Sequence, residues 1–183
     1  MTRRQILRAS ACGFVIVAFA TSFAGHRSAL AIGPDQEQAE LANALSGAKV
    51  SLQQGFTASE REGQPISGKY EMDEGKLQLS IYTAKEGKYF EVIVDHMTGT
   101  IAKVEPITEG EDLAHAKSQK AAMDRAKVKL ADAATKAKGK AKGEATEVLV
   151  VSAAPELKDG RPEATVVLLQ GKKFSTVSQR LDE

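Results

Sequence analysis

Among its 183 residues the chain has no tryptophan, only five prolines, and a single cysteine, Cys12. Each shortage excludes something. Cys12 lies near the N-terminus in Ala9-Ser10-Ala11-Cys12, ahead of an apolar core, so it does not sit where a lipid-acylated cysteine would. A chain that loses this leader has no thiol, hence no disulfide, no thiolate nucleophile and no cysteine metal ligand. Aromatic residues at 5% do not suggest a cofactor-heavy enzyme. Net basic charge is missing as well. Arg3, Arg4, Arg8 and Arg27 are the only charges before Asp35, and without these four the 25 basic side chains fall to 21 against 24 acidic ones. A mildly acidic remainder lacks the footprint of a general nucleic-acid binder.

What is present begins with an export leader. The basic start Thr2-Arg3-Arg4-Gln5-Ile6-Leu7-Arg8 precedes an apolar run from Ala9 to Ala24, then the small-x-small site Ala29-Leu30-Ala31. Ser10, Thr21 and Ser22 interrupt the run, which falls short of the roughly 20 apolar residues of a membrane span. The start also resembles a twin-arginine export motif, with Ile6 where phenylalanine is usual. Residues 1–31 are therefore expected to be a signal peptide addressing the chain to the periplasm, by the twin-arginine or the general secretory route.

The rest is organised around Ile66 to Pro106. Leu77, Leu79 and Ile81 alternate with Gln78, Ser80 and Tyr82, and Phe90, Val92 and Val94 with Glu91, Ile93 and Asp95. Period-two alternation predicts antiparallel strands with one face covered. Asp73-Glu74-Gly75, Lys85-Glu86-Gly87 and His96-Met97-Thr98-Gly99 punctuate four such runs. Ahead of them, from Pro34, Leu41, Leu45, Ala48, Leu52 and Phe56 trace one stripe of an amphipathic helix, weakened by Gly47 and Gly55.

The second half follows the same order. A helix is expected from Leu113 to about Lys138, with Met123, Ala126, Leu130, Ala133 and Ala137 on one face and Glu111 and Asp112 at its start. Strands are expected over Thr146 to Ala153, Ala164 to Gln170 and Lys172 to Ser178, broken at Pro155 to Pro162 and at Gly171. Ala48-Lys49-Val50-Ser51-Leu52 matches Ala126-Lys127-Val128-Lys129-Leu130 at a separation of 78, and Glu86-Gly87 corresponds loosely to Asp159-Gly160. The expected class is α+β: two helix-plus-three-strand units in tandem, 35–106 and 111–183, packed against each other because each alone is marginal in size.

Gly68-Lys69-Tyr70-Glu71, Lys88-Tyr89-Phe90-Glu91-Val92-Ile93-Val94-Asp95 and Thr98-Gly99-Thr100-Ile101 resemble the PepSY domain family. The resemblance covers Asp35 to about Pro106; Glu111 to Glu183 follows only by element order, with Gln170-Gly171 in place of the Thr-Gly turn. PepSY domains are similar to a segment in the propeptides of secreted metallopeptidases, where an inhibitory role is proposed. The resemblance implies a non-catalytic, cofactor-free module that binds a protein or peptide, with a peptidase as one such partner. It carries no catalytic residues to this chain.

His115 shares a helical face with Glu111 and Asp112, a pattern that reads as a weak metal site or an acid–base group, although zinc sites normally need three or four protein ligands. A helix-start charge cluster is the simpler reading. Asp95 beside His96 suits a turn in which aspartate bonds its own backbone. Glu60, Glu62, Glu71, Asp73 and Glu74 suit a solvated face, and Lys136, Lys138, Lys140 and Lys142 a soluble helix end or a contact with anionic headgroups. No catalytic, cofactor or metal residue is assigned. The alternative to a peptide-binding module is a periplasmic sensor or carrier for a small ligand or metal, seated between helix and sheet.

Overall fold

The computed structural model describes residues 34–141 and 147–183. The leader, with Cys12 and Ala29-Leu30-Ala31, lies outside them, as does Lys142. The class is α+β, with four α-helices and one seven-stranded antiparallel sheet among the described residues.

The first half runs α1 (Pro34–Leu45), α2 (Leu52–Ser59), β1 (Gln64–Asp73), β2 (Lys76–Lys85), β3 (Lys88–Val94) and β4 (Ile101–Ile107). The second runs α3 (Gly110–Met123), α4 (Leu130–Gly139), β5 (Val148–Lys158), β6 (Arg161–Gln170) and β7 (Lys173–Arg180). The strand order is β4-β3-β2-β1-β5-β6-β7. The two meanders therefore meet edge to edge at β1 and β5, through the short ladder Gly68↔Ala153 and Lys69↔Ser152. The described residues belong to one compact unit.

The strand turns fall where the punctuation predicts. Glu74 and Gly75, and Glu86 and Gly87, all take positive φ, the geometry of two-residue hairpins whose twist matches the strands. Asp95 holds its turn through Oδ1, which accepts from the amides of Met97 and Thr98 at 2.8 Å each.

Several expectations need correction, the first being the three strands of the first unit, which number four among the described residues. Each long helix is broken. The stripe Leu41 to Phe56 is carried by α1 and α2, and Leu113 to Lys138 by α3 and α4. At the first break Ser51 caps α2: its Oγ accepts from the Gln54 amide at 3.2 Å while Gln54 Oε1 accepts from the Ser51 amide at 2.8 Å. The amides of Lys49 and Val50 leave the helix to share one acceptor, the His96 carbonyl, at 2.9 and 3.0 Å. At the second break the amides of Lys127 and Val128 share the Leu181 carbonyl, at 2.7 and 3.2 Å.

The stretch Pro155 to Pro162 is also not a break. Pro155 pairs with Ala164 and Leu157 with Pro162, so β5 and β6 run on to the Asp159-Gly160 hairpin. Proline removes one donor, which a strand tolerates where no neighbour needs it. Pro155 lies past the two-pair ladder to β1, and Pro106 sits on the outer strand β4.

The two meanders share one register at an offset of 85. Ile81 pairs with Val92 as Val166 pairs with Val177, and Ser67 pairs with Tyr82 as Ser152 pairs with Val167. Each central strand has its register shift at the same place, between Pro65 and Ser67 and between Val150 and Ser152. Gly68 pairs with Ala153, its own counterpart. The helix breaks, however, correspond at an offset of 78. The seven extra residues fall between α4 and β5, in the segment that holds Lys140 and Lys142. This register matches Gly75 with Gly160, and places Gly171 at the counterpart of the Lys85–Lys88 hairpin. Glu86-Gly87 is therefore not the partner of Asp159-Gly160, and Gly171 does not replace the Thr98-Gly99 turn.

The helix-covered face of the sheet carries Tyr70, Leu79, Ile81, Val92, Val94, Ala153 and Val166, all buried in a single core with Leu45, Leu52, Phe56, Leu130 and Leu168. Its helices α2 and α4 lie against the two meanders and touch each other. Gly68 is the point of closest approach. A Cβ there would stand 2.7 Å from both Phe56 Cε1 and Ile81 Cδ1, so only glycine lets the Phe56 ring lie on the strand.

Candidate functional site

Two regions offer chemistry to a partner: a polar network on the sheet, and the sheet's two outer strands. The network follows from register. Residues alternate across a strand, so Lys69, Glu71, Gln78, Ser80, Tyr82 and Glu91 share the face opposite Gly68. Lys69 Nζ lies 2.7 Å from Glu71 Oε2 and 5.9 Å from the centre of the Tyr82 ring. Ser80 Oγ donates to Glu71 Oε1 at 3.1 Å and accepts from Gln78 Nε2 at 2.9 Å. Tyr82 donates its hydroxyl to Glu91 Oε1 at 3.3 Å. Burial pushes the Glu91 carboxyl above its ordinary value, with repulsion from Glu71 adding to this; the Ser80 and Tyr82 hydroxyls and the Lys69 charge oppose it.

Of the carboxylates singled out in the sequence, this network takes Glu71. Glu60 bonds Lys129 Nζ at 2.8 Å, Glu62 lies 3.5 Å from Arg61, and Asp73 and Glu74 are exposed at the β1–β2 hairpin. Sequence reasoning did not single out Glu91. The signal was there in the alternation, but pairing it with Tyr82 requires the β2–β3 register.

His96 contributes its carbonyl to the α1–α2 junction, and its Nδ1 is buried without a hydrogen-bond partner. His115, Glu111 and Asp112 lie on α3. Among the described residues no three His, Cys, Asp or Glu side chains gather where they could hold a metal ion. Lys136, Lys138 and Lys140 are exposed around the end of α4. No helix among the described residues is long and apolar enough to cross a membrane. An open groove of about 410 Å³ lies between α2, the start of β1 and the α3–α4 junction. Phe56, Met123 and Leu130 line it, and the Lys129–Glu60 ion pair borders it.

The outer strands differ in how they meet solvent. The β4 strand carries Lys103, ion-paired with Glu105 at 2.8 Å, and Pro106. Lysine and proline blunt an edge against further pairing. The β7 strand, KFSTVSQR, has charges only at its ends, with Phe174 to Gln179 uncharged between them. Among the described residues no strand pairs with the outer side of either.

No family model, curated protein or solved structure matches the chain.

Proposed function

We propose that the protein is an exported, non-catalytic binding module of two PepSY-like units in tandem, which grips an extended segment of another protein in the periplasm. A secreted peptidase is the partner that the family resemblance favours, by analogy of fold alone. The observation that carries the reading is the sheet itself: an antiparallel meander laid down twice in one register, ending in outer strands with no neighbour among the described residues. An unpaired strand offers a row of amides and carbonyls, so a peptide added to it gains affinity from main-chain hydrogen bonds and selectivity from alternate side chains.

Selection of the purified protein against a library of random peptides tests this. Enriched peptides should alternate apolar and polar residues, and their binding should slow amide exchange in an outer strand. Peptide cleavage that survives repurification would refute the non-catalytic reading, and enrichment without outer-strand protection would refute edge binding. Cell fractionation tests the address: the shortened chain should be recovered from the periplasm.

A further inference from the structure

We propose that the outer edge of β7 is the peptide-binding edge, and that it receives a foreign extended segment in the register β4 takes on β3. The inference rests on the peptide-binding reading above and adds the site, the register and the chemistry of the segment. Strand β7 is the counterpart of β3 at the offset of 85, and β3 already has a strand on its outer side. Val92 faces Val104, Glu91 faces Glu105 and Tyr89 faces Ile107. The corresponding positions on β7 are Val177, Thr176 and Phe174, and among the described residues nothing pairs with them from outside.

The pairing on β3 also shows which backbone groups face outward. Pro106 has no N–H yet pairs with Phe90, so Pro106 and Val104 turn their nitrogens away from β3, while Glu105 and Ile107 turn theirs toward it. Transferred to β7, the outward amides and carbonyls belong to Phe174, Thr176 and Ser178.

Side chains set the rest. The segment needs an apolar residue opposite Val177 and another opposite half-buried Phe174, as Val104 and Ile107 supply on β3. Gln179 stands where β3 has Val94. It is 7% exposed, and its Oε1 is buried without a donor. A residue directly opposite on a new strand comes within reach, so a hydroxyl there, where β4 has Ile101, satisfies it. Toward its C-terminal end the segment runs alongside exposed Lys172 and Lys173, which favours acidic residues. A second copy fits less well: antiparallel self-pairing centred on Thr176, which sets outward amides against outward carbonyls, puts Lys172 of each copy against Arg180 of the other, like charge on like.

The probe is a synthetic peptide with the sequence of residues 100–110 and Ile101→Thr, which puts Glu109 beside Lys172. Titrated into the full chain, it should bind and slow exchange of the Phe174, Thr176 and Ser178 amides by about tenfold or more. N-methylation at Glu105 should abolish binding and N-methylation at Val104 should not; the reverse pattern overturns the register. The variant Lys172→Glu, Lys173→Glu should weaken binding about five- to tenfold at low salt, less at high salt. Binding that protects β4 instead overturns the site while leaving the peptide-binding reading intact. If neither this peptide nor any library peptide protects an outer strand, both readings fall. Concentration-dependent self-association that protects β7 without peptide assigns the edge to a second copy and overturns the proposal.

Discussion

The phenol of Tyr70 donates to the main-chain carbonyl of Val50, tying β1, the middle strand of the sheet, to the α1–α2 connection. The Val50 amide meanwhile bonds the His96 carbonyl, so strand β1, the helix break and the turn after β3 are fastened through one residue. Tyr70→Phe keeps the ring and removes the donor, leaving a buried carbonyl unsatisfied. The expected loss is about 1–3 kcal/mol, read from urea unfolding. Burial also pushes the Tyr70 phenol up to about 12. In the unfolded chain it ionises near its ordinary value of 10, so its contribution is complete below pH 10 and declines as pH rises toward 12. Parent and Tyr70→Phe stabilities should therefore converge over that window and stay parallel below it.

Glu91 gives a test of the same sign at the acid end of the scale. Its carboxyl is held above the ordinary value, chiefly by burial. A raised folded-state value means the favourable balance is complete below the unfolded value and is lost as pH rises through the folded one. Glu91→Gln removes the buried charge but keeps an acceptor for the Tyr82 hydroxyl. Its melting temperature should exceed the parent's at pH 7 and match it at pH 4. Equal melting temperatures at both pH values would show that the carboxylate is well solvated.

The strand turns of the first half were legible because their residues carry local backbone demands: Glu74-Gly75 and Glu86-Gly87 take positive φ whatever surrounds them. The helix breaks were not. Leu45, Leu52 and Phe56 keep the helical spacing across the first gap because all three enter the same core. What stops α1 is a carbonyl 47 residues beyond Lys49, that of His96, and no local signal announces a distant acceptor. The second break lacks even a glycine. The prolines misled for a related reason: Pro155 breaks a strand only if a neighbour needs its N–H, and the β1–β5 ladder ends before it. Glu71 was visible as a carboxylate, yet its joining with Lys69 and Ser80 depends on pairing across β1 and β2, which composition does not encode.

Leu79 and Leu130 test whether the two halves share one core. Leu79 is fully buried on β2 and Leu130 is 2% exposed at the start of α4, in opposite halves of the chain. Each truncation to alanine should cost about 2–5 kcal/mol. Because the meanders form one sheet and α2 touches α4, either variant should still unfold in a single transition in which both halves are lost together. Two resolved transitions, with only the truncated half destabilised, would mean that the β1–β5 ladder does not couple them.

Gly68 lies on that ladder and at its tightest contact. Its φ is ordinary, so alanine meets no backbone strain; the objection is steric alone. A methyl group would stand 2.7 Å from the Phe56 ring and from Ile81 Cδ1, and both side chains belong to the packed core. Either the ring lifts from β1 or β1 shifts against β5 at Ala153. Overpacking of this kind costs about 1–3 kcal/mol, so Gly68→Ala should lower the urea midpoint accordingly. If the ring is the obstacle, Gly68→Ala combined with Phe56→Leu should lose less than the two single changes added together, a coupling of about 0.5 kcal/mol or more. Strict additivity would place the strain in the β1–β5 backbone instead. Amide exchange at Ala153, which faces Gly68 on β1, then decides the matter independently, because only a shifted strand opens that two-pair ladder.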